Sequence, residues 1–238
     1  KKVIMKIIKY LSIFLKSLTH KKISYSYGGV DSLVNNIFKN NDKGFYVDVG
    51  CGHPVKNNNT YLLNKKGWHG INIDLDNENI NLFDIYRPSD QNISTAISDK
   101  IGEEDLFFYH SKSAINTINK KTADYQKAKV SSIKKIRTNT LNNVLNNSKY
   151  NNLEIDFLSI DIEGSEFLAL KNFDFNKYNP KVIVVEHLDL SLPALEIKNL
   201  NINSAINSDI YKLIVSKNYT LVNMLHSDLV FVNNKFRD

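Results

Sequence analysis

One cysteine, Cys51, is all that the 238 residues contain, so no disulfide can close within the chain. A lone thiol suits a reducing cytoplasm. No apolar run is long enough to span a bilayer. No zinc-finger spacing occurs and no basic run is interleaved with aromatics, so nothing in the sequence marks a nucleic acid as partner. Repeats and long low-complexity linkers are also missing, which excludes solenoids and strings of modules.

What remains is an ordinary soluble composition, 42% hydrophobic and 24% charged, at a length that fits one domain with a sizeable core. The formal net charge of +6 accompanies an excess of Lys and Asn together, as at Asn57, Asn58 and Asn59. AT-rich coding produces that pattern, so the charge alone names no anionic partner. Residues 1–29 read as a basic amphipathic helix and a linker. Val3, Ile4, Ile7, Ile8, Leu11, Phe14, Leu15 and Leu18 recur at helical spacing, with Lys2, Lys6, Lys9 and Lys16 largely opposite. No small-residue cleavage site follows, unlike a signal peptide. The expectation is a helix packed on the domain or on a partner subunit, with a membrane interface as the alternative.

Residues 30–238 alternate strand and helix patterns, which predicts one α/β domain with a mostly parallel sheet and helices on both faces. Strands are expected at 44–49, 70–74, 92–97, 155–160 and 181–186, with a closing hairpin at 219–224 and 228–232. Residues 111–131 read as a polar excursion over the sheet edge, where substrate-covering loops are often found. Thr138 is expected to cap a helix running to Asn147.

The strongest motif is Asp48-Val49-Gly50-Cys51-Gly52, a buried strand running into two glycines. In a doubly wound sheet, ligands bind at the carboxyl ends of strands, and glycine lets the backbone approach them. A dinucleotide site needs a third glycine, and Val55 stands at that place. The spacing suits S-adenosylmethionine instead, with Gly50, Cys51 and Gly52 against its methionine part and Asp48 balancing its ammonium. Asp74, at the next strand tip with Leu75, is placed to accept both ribose hydroxyls. Ala96, Ile97 and Ser98, at the third tip, are expected around the adenine.

Leu158 to Phe167 brings a third acidic turn, Asp161-Ile162-Glu163-Gly164-Ser165-Glu166, out of a buried strand. Here the chain resembles the FkbM family of S-adenosylmethionine-dependent methyltransferases, on Asp48-Val49-Gly50 with Gly52, on Asp74, and on Ile160-Asp161-Ile162-Glu163-Gly164. The stretch from Gly67 to Asp74 and that from Arg87 to Ile93 resemble one branch of it. Asp74 stands where many relatives carry Glu, a change that keeps the carboxylate. The resemblance implies a Rossmann-like methyltransferase fold with a seven-stranded sheet. It also implies O-methylation of sugars, surface-polysaccharide precursors or polyketides.

Asp161 also belongs to the expected cofactor contacts. For the chemistry, Asp161, Glu163 and His187 are the expected catalytic groups, with His53 a further base candidate. Asp161, Glu186 and His187 offer a ligand set for a divalent metal. Arg87 and Asp90 stand near a strand entry, in reach of acceptor or cofactor, and Asn116 with Thr117 in reach of the acceptor. The competing functions are N-methylation of an amine or nucleic acid, and a non-catalytic binding module. The Asn/Asp-Pro-Pro-aromatic signature of amino-methylating enzymes is missing after the fourth strand.

Overall fold

A computed structural model describes residues 2–19, 23–192 and 196–237. Lys1 and residues 20–22, part of the expected N-terminal helix and linker, lie outside the described residues. Ten strands form among the described residues: β1 (Phe45–Val49), β2 (His69–Asp74), β3 (Gln91–Ser94), β4 (Ala96–Ile97), β5 (Gly102–Phe108), β6 (Ser132–Asn139), β7 (Phe157–Ile160), β8 (Val182–Glu186), β9 (Tyr219–Leu225) and β10 (Asp228–Asn233). The helices are α1 (Lys2–Thr19), α2 (Val30–Ile37), α3 (Tyr61–Lys65), α4 (Asn77–Tyr86), α5 (Lys120–Tyr125), α6 (Leu141–Asn146), α7 (Glu166–Lys171), α8 (Phe175–Tyr178), α9 (Ile202–Asn207), α10 (Asp209–Ser216) and α11 (Asn234–Arg237).

Seven strands make the central sheet in the order β3-β2-β1-β7-β8-β10-β9. Only β10 runs against its neighbours, so the sheet is mostly parallel, as expected. Strand order reverses at β1, which puts its carboxyl end at the switch point where such sheets bind ligands. Alternation of side chains sorts the core into two layers. Val47, Leu158, Ile183 and Leu229 face the layer that α6, α7, α9 and α10 cover. Tyr46, Phe157, Val184 and Val230 face the layer under α2 and α3. Each such aliphatic or aromatic side chain taken out of water contributes about 1.5–3 kcal/mol.

Three local expectations change. The single strand expected at 92–97 is two strands, because the chain turns at Thr95, whose amide donates to the Asp74 carbonyl at 2.9 Å. β4 then leaves the central sheet and joins a second one, ordered β4-β6-β5. Thr138 lies within β6 and caps nothing. Thr140 is the cap of α6, its hydroxyl accepting from the Asn143 amide at 3.2 Å. Ile133 and Ile136 in β6 stand three apart among lysines, so no period of two announces the strand; pairing with β5 holds it in place. The third change concerns α1. Every side chain from Val3 to Leu18 is exposed, so the domain does not cover this helix. No helix among the described residues is long and apolar enough to cross a membrane.

Candidate active site

The turn after β1 is built by close approach. The amides of Gly50 and Cys51 both donate to the Ile73 carbonyl, at 2.8 and 3.1 Å, which draws the tip of β1 against that of β2. Gly50 adopts φ +79°, and a Cβ there would lie 1.7 Å from the Asp161 carbonyl oxygen. Glycine is therefore required where the β1 and β7 tips meet. At Gly52, φ is +57° and a Cβ would meet nothing within 4 Å, because the residue faces open space.

That space is a cavity of ≈ 490 Å³ at the carboxyl ends of β1, β2 and β7. Gly50, Cys51, Gly52, Asp74, Leu75, Ala96, Ile97 and Asp161, expected around a cofactor, all line it, as do Glu163 and His53. Its volume is in the range of small-molecule sites. The Asp74 carboxylate accepts from the Gly52 amide at 2.9 Å through Oδ2 and from the Asp76 amide at 2.8 Å through Oδ1. Burial raises its pKa to about 6, against the pull of those two amides.

Ser98 does not reach the cavity. It follows β4 into the second sheet, where its hydroxyl donates to Glu104 at 3.1 Å. Asp48 is also absent from the lining. It points under α3, where Thr60 and Asn58 donate to Oδ2 at 2.8 and 3.1 Å. Burial raises it to about 6, while the Thr60 hydrogen bond and the Arg87 charge pull the other way. Arg87 is 1% exposed and donates to Thr60, Asn58 and the Pro54 carbonyl, so it fastens the glycine loop and does not reach a ligand. Asp90 accepts from the Tyr46 hydroxyl at 2.5 Å and the Gly70 amide at 3.0 Å, again inside the fold.

The polar excursion forms a second wall. Lys112, Ser113, Ala114, Asn116 and Ile118 line the cavity. The Asn116 amide group is spent on its own loop, accepting from the Tyr109 amide and donating to the His110 carbonyl, both at 2.9 Å. Thr117 donates to the Glu163 carbonyl at 2.8 Å, and Asn119 donates to the Gly164 carbonyl. The excursion is thus stapled to the acidic turn after β7.

The floor is acidic. Asp161, Glu163 and Glu186 each bring a carboxylate oxygen within 4.8 Å of the others. Asp161 is open to the cavity, yet burial among the surrounding protein raises its pKa while a hydrogen bond with Glu186 pulls it down. Glu163 is pushed up to about 9 by burial, then by Asp161 and Glu166. Asp228 is pushed to about 8 by burial, then by Asp161 and Glu166. Burial also lifts Glu186 well above the usual range. Glu166 reaches about 7 because burial outweighs the Ile162 and Gly164 amides, which donate to its Oε1 at 2.9 and 3.1 Å.

His187 stands apart from this floor. It follows Glu186 by one residue, so strand alternation turns it to the opposite face, where Nε2 lies 3.3 Å from the Ser204 hydroxyl on α9. Glu163 takes its expected place beside Asp161 and Glu186. Sequence reasoning missed Asp228, which lines the cavity from the first position of β10. An acid opening a strand next to β8 was its only signal. His53 lies exposed at the mouth, its Nδ1 accepting from the Val55 and Lys56 amides, each at 3.1 Å. Burial, then the nearby Lys56, lowers its pKa.

The methyltransferase FkbM domain family matches residues 48–219, most of the chain. Among solved structures, the chain is similar to a TehB-like SAM-dependent methyltransferase from Corynebacterium glutamicum ATCC 13032. The match covers 95% of this chain and 97% of that one, at 11% identity and a TM-score of 0.43. No curated protein matches the chain significantly.

Proposed function

Because the chain belongs to the methyltransferase FkbM family, whose members use S-adenosylmethionine, we propose that it methylates a hydroxyl of a sugar, nucleotide-sugar or related polar acceptor, in surface-polysaccharide synthesis. The observation that carries this reading is the placement of Asp161 and Glu163 in the same cavity as Asp74. A hydroxyl must lose its proton to become a good nucleophile, and a desolvated carboxylate is a suitable acceptor.

The residues present fit the cofactor. The Asp74 carboxylate takes one backbone amide on each oxygen and a side-chain hydrogen bond from Asn79, and a carboxylate has acceptor capacity beyond these three for ribose hydroxyls. The empty space over Gly52 is where a side chain would collide with the methionine part. Ala96 and Ile97 give the adenine an apolar rest. When bound, the cofactor supplies an electrophilic sulfonium methyl. Asp161 or Glu163 would take the proton that the acceptor hydroxyl gives up as it is methylated. Lys56 and Lys112 at the rim suit a phosphate of the acceptor, and Asn57 and Asn59 suit its hydroxyls. Holding both partners in line supplies about 7–11 kcal/mol in well-oriented cases, against the ~10²–10⁴-fold of a base. Positioning is therefore the larger contribution.

Methyl-labelled cofactor offered with sugars, nucleotide-sugars, amines and oligonucleotides tests the reading. Label in a sugar fraction supports it. Label in amines or nucleic acid replaces it with N-methylation, and absence of both transfer and cofactor binding leaves a bare binding module.

The exposed α1 sets a place of work. Its apolar face is uncovered, its charged residues are all lysine, and it carries no acid. That combination matches an anionic bilayer surface, on which the helix would lie flat. The buried free Cys51 suits the cytoplasmic side.

A further inference from the structure

We propose that the tips of β7, β8 and β10 form a divalent-cation site, with Asp161, Glu163 and Glu186 as ligands for Mg²⁺ or Mn²⁺. The inference rests on the reading above for its role, which is to hold the acceptor's hydroxyl oxygen.

The sheet register builds the site. Ile160 pairs with Val185, so the next residues, Asp161 and Glu186, are neighbours, and Glu186 in turn pairs with Asp228. Three adjacent strand tips thus turn a carboxylate to one face. Glu163 joins them because the turn after β7 doubles back, with Glu163 itself at φ +56°. Oxygens bound around one Mg²⁺ at 2.0–2.1 Å stand roughly 3–4 Å apart. The three carboxylate oxygens here lie within 4.8 Å of one another.

Two further observations point to something missing from this corner. Glu186 Oε2 is buried and takes no N–H or hydroxyl donor, its other oxygen takes the Ser227 hydroxyl at 3.1 Å, and its carboxyl group lies within hydrogen-bond reach of Asp161. The Ser165 hydroxyl, in a residue 1% exposed, is also unpartnered and lines the cavity beside Asp161 and Glu163, although it stands at the cap position of α7. Buried anionic and polar oxygens are costly unless paired. No ion pair among the described residues involves Asp161, Glu163, Glu166, Glu186 or Asp228. A bound cation removes that cost. All-oxygen ligands select hard cations, and the turning away of His187 removes the nitrogen that Zn²⁺ or Cu²⁺ would use.

The test is Mn²⁺ binding to the full chain after chelator treatment. It is followed by the loss of the free-Mn²⁺ paramagnetic signal, with S-adenosylhomocysteine binding measured on the same sample. One Mn²⁺ per chain, an upward Mn²⁺-dependent shift in Tm, and at least tenfold weaker binding in Glu186→Gln are expected. The wild-type titration decides the matter if that variant does not fold. No Mn²⁺ uptake at millimolar concentration, with S-adenosylhomocysteine still bound, overturns the site and leaves the methyltransferase reading standing. Uptake unchanged in Glu186→Gln and in Asp161→Asn also overturns it, since the ion would then sit elsewhere. Loss of S-adenosylhomocysteine binding in wild type, by contrast, counts against the functional reading and not the cation.

Discussion

The Gly52 amide donates to Asp74 Oδ2 at 2.9 Å, so the glycine loop of one strand fixes the carboxylate at the tip of the next. On the proposed ribose contact, removal of Asp74 takes away two charge-assisted hydrogen bonds. Asp74→Ala should raise the Kd for S-adenosylhomocysteine tenfold to hundredfold, about 1.4–3 kcal/mol. Calorimetry checks it, and an unchanged Kd would sink the ribose assignment.

The same residue sets a pH dependence with two opposite signs. Burial raises Asp74 to about 6 in the folded protein, whereas an unfolded Asp titrates at about 4. The folded state thus holds the proton more tightly. This contribution to stability is fully present below about pH 4 and is lost as pH rises through about 6. Cofactor binding needs the ionised form, so affinity should fall about tenfold per pH unit below about 6. Asp74→Asn should flatten the binding profile but should not stabilise the free protein at pH 7.5, because its NH2 would face one of the two amides that now donate to the carboxylate. Calorimetry and urea unfolding between pH 5 and 8 read the two effects separately.

Two glycines two residues apart should fail in different ways. Gly50→Ala drives a Cβ into the Asp161 carbonyl at 1.7 Å, so it should cost about 2–4 kcal/mol of stability. Gly52→Ala meets no atom and carries only the left-handed backbone penalty of about 1–2 kcal/mol. Its methyl enters the cavity, so cofactor affinity should drop by more than tenfold. Urea midpoints and calorimetry on both variants separate fold from binding, and equal stability losses would refute the contrast.

Most of the parallel sheet was legible because its strands are short runs rich in β-branched and aromatic residues, as at Phe45–Val49 and Val182–Glu186. The glycine turn, Asp74 and Asp161 were legible for the same reason: each sits where such a run ends. What escaped was direction. Asp48 and Asp74 both read as ligand acids, yet Asp48, within β1, points into a polar nest under α3, which only the tertiary partners Asn58, Thr60 and Arg87 reveal. Strand parity alone separates His187 from Glu186. β6 escaped because its lysine-rich sequence has no alternation to detect.

The acidic floor makes the chemistry separable from binding. Glu163→Gln should lower turnover by ~10²–10⁴-fold while leaving S-adenosylhomocysteine affinity within about threefold. His187→Ala should leave turnover within about threefold, because His187 faces Ser204 on the far side of the sheet. Labelled-methyl turnover on both variants decides it. A crippled His187→Ala with normal Glu163→Gln would reverse the assignment.

The uncovered face of α1 gives a prediction independent of the site. A helix with buried apolar area and cationic residues gains both from the acyl boundary and from anionic headgroups, and the second gain is screened by salt. The full chain should therefore sediment with phosphatidylglycerol vesicles, much less with phosphatidylcholine, and should be released by 0.5 M salt. Ile8 and Leu11 lie on the apolar face, 60% and 50% exposed. Changing both to Asp should abolish sedimentation, while S-adenosylhomocysteine affinity stays as in wild type. If instead both lipids bind equally, or the double variant still sediments, charge and the apolar face are not what hold the protein there. A dimer lost in the double variant, seen by light scattering without vesicles, would assign the face to a second copy.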